Sequence, residues 1–116
     1  MRALIIEPQR LFTPFLAGVL EERGVAVLAT TLALDRDQLA LARPEIVLID
    51  ADHLPSPLMA LADLRSALPS ARIAVVYAWA EAAWLVLARA FGADVLIGPG
   101  ADEERLVLEL GLRRRT

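Results

Sequence analysis

Five short apolar runs rich in β-branched residues, at positions 3–6, 25–29, 46–49, 73–77 and 95–97, alternate with segments of helical period. Runs that are apolar at nearly every position, not at every second one, suit strands buried on both faces. Such strands belong to a mainly parallel sheet covered by helices on each side. Right-handed crossovers then make the arrangement a doubly wound α/β sandwich. With 116 residues the chain is expected to be one domain, residues 1–116, long enough to bury a core.

The helical segments have their own punctuation. The first is expected over residues 10–23, with Phe12, Phe15, Leu16, Val19 and Leu20 as an inward stripe, Pro14 in the first turn and Gly24 as a C-terminal cap. The second is short, with Asp35 a candidate N-cap and Pro44 beyond its end. The third is expected over residues 57–68, stopping before Pro69, and the fourth over 81–91, ended by Gly92. Acids at Asp102, Glu103 and Glu104 suit the start of the fifth, and Arg113, Arg114 and Arg115 suit its end. The arginines also fit the start of a linker to a further domain.

Composition removes several classes of function. A net charge of -3 gives no electrostatic footprint for a phosphate backbone, so no direct nucleic-acid binding is expected. No cysteine is present and His53 is the only histidine, which excludes disulfides and argues against a zinc site. Hydrophobic residues make up 57% of the chain, but Glu81, Arg89 and Asp94 interrupt its most apolar stretch before membrane-spanning length. No signal region precedes the first strand, so the expected location is cytoplasmic, away from membranes. All twelve basic residues are arginine; the chain has no lysine.

Two strand-like runs end on acids: Glu7 follows residues 3–6, and Asp50 follows residues 46–49. Open α/β sheets bind ligands outside the carboxyl ends of their strands, so this edge is where a site is expected. Asp50 as an ordinary strand-end carboxylate capping local backbone is an equal reading.

The stretch from Tyr77-Ala78-Trp79 to Phe91-Gly92-Ala93-Asp94, and the run from Ala42-Arg43-Pro44 to Ile49-Asp50, resemble the receiver domain of two-component response regulators. The closest likeness is to receivers attached to helix-turn-helix transcription factors. The resemblance spans nearly the whole chain and implies a five-stranded, flavodoxin-like sheet of order 2-1-3-4-5. It places Asp50 at the phosphoacceptor position, and it implies a Mg²⁺ held by that aspartate with two acids after the first strand. Here those two positions are Glu7 and Pro8, and Pro8 has no ligating side chain. Tyr77 stands where the family has a small hydroxyl residue, and Gly98 or Pro99 stands where it has a lysine. Loss of the cation and of a metal ligand removes stabilisation of about 2 to 4 kcal/mol each.

Other residues carry weaker signals. Asp52 makes an Asp-x-Asp with Asp50 that suits a cation site, though loop solvation is the favoured reading. His53 is expected as an exposed loop residue, with a pH-sensing role only if it touches Asp50 or Glu7. Gly98-Pro99-Gly100 lacks the spacing and the lysine of a phosphate loop and reads as a stiff turn. The fourth helix is apolar on nearly every face, and Trp79, Trp84, Leu85, Leu87 and Phe91 are expected to supply an interface. The alternative is that both tryptophans fold back over the core.

The reading is a degenerate receiver without enzymatic activity, acting as a phosphorylation-independent interaction or dimerisation module in signalling or transcriptional regulation. Its expected partner is a second copy or another signalling protein through the helix-four face, with a covalently attached DNA-binding domain as a further option. No cofactor is expected, or at most weak Mg²⁺ at Glu7 and Asp50. A working phosphoacceptor at Asp50 and a small-ligand binder at the strand ends are the alternatives.

Overall fold

A computed structural model describes residues 1–112 of the chain. The elements run β1 (Arg2–Ile6), α1 (Thr13–Glu21), β2 (Ala26–Thr30), α2 (Arg36–Ala42), β3 (Ile46–Asp50), α3 (Pro57–Ala67), β4 (Arg72–Val76), α4 (Ala82–Ala90), β5 (Val95–Ile97) and α5 (Glu103–Leu110). All strand pairs are parallel and the sheet order is β2-β1-β3-β4-β5. This is the doubly wound arrangement expected from the alternating runs.

Strand alternation splits the core in two. Ala3, Ile5, Leu48, Ala74 and Ile97 meet Leu16, Val19 and Leu20 of α1 and Leu106 and Leu110 of α5 on one face. Leu4, Ile6, Val47, Ile49, Ile73 and Val75 meet Leu39 of α2, Leu61 and Leu64 of α3 and Ala88 of α4 on the other. Each large side chain buried here contributes about 1.5 to 3 kcal/mol of transfer free energy. The edge strand β2 departs from burial on both faces: Leu28, in register with Leu4, stays 49% exposed and lines a groove with Leu41 and Ala42 at the end of α2.

Two helix expectations need correction. α1 begins at Thr13, not at residue 10, because Arg10 adopts a left-handed conformation with φ of 54° that no helix contains. The inward stripe is therefore Leu16, Val19 and Leu20, while Phe12 and Phe15 face outward. At the other end of the chain, α5 closes at Gly111, which takes φ of 67° as a left-handed cap. Arg113, Arg114 and Arg115, expected to end that helix, lie outside the described residues. The capping of α2 is as expected and more complete: Asp35 accepts from the Gln38 amide while Gln38 returns a bond to Asp35. No described helix is long and apolar enough to cross a membrane.

Arg65, near the end of α3, holds three connections at once. Its guanidinium donates to the carbonyls of Leu68, Pro69 and Ala71 after α3 and to Gly92 after α4, and it pairs with Asp94 at 2.5 Å. Asp94 in turn accepts the Ile73 amide at the start of β4. Gly92 must be glycine: its φ is 126°, and a Cβ there would stand 2.7 Å from Arg65 Cβ. Replacing Arg65 with Ala should lower unfolding free energy by about 2 to 4 kcal/mol in urea titrations, since several carbonyls lose a charged donor together. Arg65→Lys should recover less than half, because a point ammonium cannot span the same acceptors.

Candidate functional site at the carboxyl edge of the sheet

Glu7 follows β1 and is only 3% exposed. The loop turns back at Arg10, whose amide donates to the Glu7 carbonyl, and this brings the start of α1 over the Glu7 side chain. Oε1 accepts the Thr13 amide at 2.7 Å, the Thr13 hydroxyl at 2.6 Å and the Phe12 amide at 2.9 Å, and Oε2 shares the Phe12 amide. Phe12, at the N-cap position, has no side-chain acceptor to offer. Glu7 supplies it from five residues upstream, where its charge also favours the positive end of the helix. Glu7 is thus a buried cap of α1 and not a surface acid.

Asp50 ends β3 and is 8% exposed. Its Oδ1 accepts the Asp52 amide at 2.9 Å, and its Oδ2 lies 2.6 Å from His53 Nδ1. A carboxylate only accepts, so the Nδ1–H of His53 is the donor. His53 thus touches the site instead of standing free in the loop, although 35% of its side chain remains exposed. Asp52 is also not merely solvated. Its carboxylate crosses to the loop after β4, accepting the Ala78 amide at 2.7 Å and the Trp79 amide at a longer 3.4 Å.

Tyr77, the residue after β4, leans toward the end of β5. A Cβ added at Gly98 would stand 2.9 Å from the Tyr77 hydroxyl and 3.0 Å from its Cζ, so the ring lies directly over the glycine. Tyr77, Gly98 and Pro99, with the outward-facing Phe12 and Phe15, line a cavity of about 230 Å³ that reaches Asp50 and Asp52. No arginine lines it. Asp50, Tyr77, Gly98 and Pro99 stand out in the sequence at this edge; Phe12 and Phe15 join them from a stripe that the sequence assigns to the core.

The donor set does not fit the Mg²⁺ that the receiver resemblance implies. Glu7 and Asp50 share the lining of a gap of about 10 Å³, room for about one water at most. Mg²⁺ requires near-octahedral oxygen ligation. Glu7 is committed to α1, Pro8 offers no side-chain oxygen, and Asp50 is engaged by His53 and the Asp52 amide. Among the described residues, no three His, Cys, Asp or Glu side chains converge as a metal group.

On the α4 side, Trp79 is 84% exposed, and Val86, Leu87 and Phe91 are also exposed. Trp84 and Leu85 are half-buried, and Trp84 packs against the core beneath α3 and α4. The two tryptophans therefore divide: one returns to the core and the other stands out.

The Glu7 geometry carries a stability prediction. Glu7→Ala should lower unfolding free energy by about 1 to 3 kcal/mol, because a helix cap and a buried acceptor are lost together. Glu7→Gln keeps one acceptor and should lose less than half of that, as read by urea denaturation and by amide exchange at Phe12 and Thr13.

No family model matches the sequence, and the search of curated proteins finds no match. Solved structures do match. A response regulator protein from Burkholderia pseudomallei, with a phosphorylated aspartic acid, calcium ion and citrate, is 32% identical over 94% of this chain, with a TM-score of 0.77. This chain spans 65% of that regulator's length. A CheY-like receiver domain protein from Methanospirillum hungatei JF-1 is 20% identical, covering 95% of this chain and 90% of that one, with a TM-score of 0.79. An orphan response regulator of H. pylori is 19% identical, covering 96% and 93%, with a TM-score of 0.81. The strand order, the acids at the carboxyl edge and these likenesses agree: the chain has the fold of the response-regulator receiver domains.

Proposed function

We propose that residues 1–116 form a single receiver-like domain that works as a phosphorylation-independent interaction module in signalling or transcriptional regulation, in the cytoplasm and without enzymatic activity. The observation that carries this reading is the state of Asp50. Its two oxygens are engaged by His53 and the Asp52 amide, and the cavity beside it contains acids and no cation. A phosphoryl group there would place a dianion next to Asp52 with neither a metal nor a lysine to offset it. Tyr77 also replaces a small hydroxyl with a ring held over Gly98.

The working surface in this reading is the face formed by Trp79 and α4, where Val86, Leu87 and Phe91 stay exposed. Contiguous apolar surface rimmed by polar residues marks protein association, and tryptophan is a frequent centre of binding energy. A second copy is the proposed partner, with another signalling protein in the same role if the chain does not self-associate. The proposal includes a DNA-binding domain as a covalent companion, in keeping with the regulators that the sequence resembles.

One observation favours phosphorylation as the competing reading: the Burkholderia pseudomallei regulator carries a phosphorylated aspartic acid, and Asp50 ends the third strand here. Intact mass after incubation with acetyl phosphate and Mg²⁺ separates the two, with Asp50→Ala and a conventional receiver alongside. The expected result is no adduct while the conventional receiver is modified; an adduct lost in Asp50→Ala would overturn phosphorylation independence. In a light-scattering series, mass should rise toward a dimer by hundreds of micromolar, and Leu87→Glu should return it to the monomer. A monomer throughout would remove the second copy as partner.

A further inference from the structure

Asp52 sits in the loop after β3, yet its carboxylate serves the loop after β4. It accepts two consecutive main-chain amides, those of Ala78 and Trp79, at 2.7 and 3.4 Å. Successive N–H groups converging on one point form a concavity that binds anions. These two stand before α4 begins at Ala82, so the geometry belongs to the loop and not to a helix end. The same cavity that reaches Asp50 is lined by both Asp52 and Ala78.

We propose that the Ala78–Trp79 amide pair is an anion site whose resident ligand is the chain's own Asp52 carboxylate, which holds the loop after β4 permanently in its anion-bound arrangement. This deepens the phosphorylation-independent reading and rests on it. The carboxylate is tethered, so it faces the amides at an effective concentration that a free anion must exceed to displace it. Asp50 positions it: Oδ1 of Asp50 accepts the Asp52 amide, and His53 braces Oδ2. The chain of contacts runs from the end of β3 through Asp52 to Trp79, which is 84% exposed at the edge of the proposed docking face. An anion that never leaves makes the presentation of Trp79 constitutive. The chemistry the site takes is a small carboxylate or similar oxyanion, admitted only when Asp52 is removed.

The test uses the chain labelled with ¹⁵N and ¹³C. In the unmodified protein, a coupling across the hydrogen bond from Ala78 N to Asp52 Cγ is expected, and its absence overturns the site. In Asp52→Ala, the Ala78 and Trp79 amides should exchange with solvent at least about tenfold faster, as expected for loss of a hydrogen bond to a charged acceptor. Sodium formate at constant ionic strength should shift those two amides saturably and restore their protection, whereas chloride should not. A folded Asp52→Ala protein whose amides ignore formate would contradict an anion site. If Asp52→Ala does not fold, Asp52→Asn carries the comparison: faster exchange confined to those two amides supports the site, and unchanged exchange overturns it. The outcomes stay separable from those of phosphorylation. A phosphoryl adduct with the Ala78 coupling intact defeats phosphorylation independence alone, and a missing coupling with no adduct defeats the resident anion alone.

Discussion

A parallel sheet hands the shaping of its carboxyl edge to the loops, and in this chain three carboxylates at that edge hold those loops by accepting main-chain amides. Glu7 takes Phe12 and Thr13, Asp50 takes Asp52, and Asp52 takes Ala78. Buried main-chain N–H groups must find acceptors, and a charged acceptor roughly doubles the strength of each bond. The start of α1 and the two loops beside β3 and β4 depend on these contacts. Acids that could serve chemistry are thereby committed to architecture.

That commitment has a functional side. A site that accepts a phosphoryl group needs free acceptors for a metal, free donors for the phosphoryl oxygens and a cation to offset the charge. Here Glu7 is bound to a helix, the Ala78 amide is bound to Asp52, and Gly98 and Pro99 supply no charge. What is left open is different in character: a cavity of about 230 Å³ edged by Phe12, Phe15 and Tyr77, and an apolar face at Trp79 and α4. The proposed function follows those open surfaces.

The sheet order and the placement of Asp50 were legible in the sequence because continuous apolar runs, caps and the receiver-like segments all point the same way. The Asp35 capping box was legible for the same reason, being local. What was not legible arises from contacts between separate loops. Nothing in the spacing of Glu7 and Thr13 shows that a left-handed Arg10 will fold one onto the other. Asp52 reads as a solvated acid until β4 is placed beside β3, and Arg65 is one arginine among twelve until two loops converge on it. Phe12 and Phe15 were misplaced because a helix start shifted by a few residues rotates the assumed stripe.

The most direct test of a receiver fold whose carboxylates at the sheet edge have partners within the chain is an amide spectrum of the unmodified protein, with and without Mg²⁺ and beryllium trifluoride, a mimic of an aspartate-bound phosphoryl group. The account predicts that Ala78, Trp79 and the α4 amides stay where they are, because Asp50 and the Ala78 amide have partners within the chain. Saturable shifts of those amides, lost in Asp50→Ala, would mean that the site opens to a phosphoryl group and that the carboxylates are not its permanent occupants.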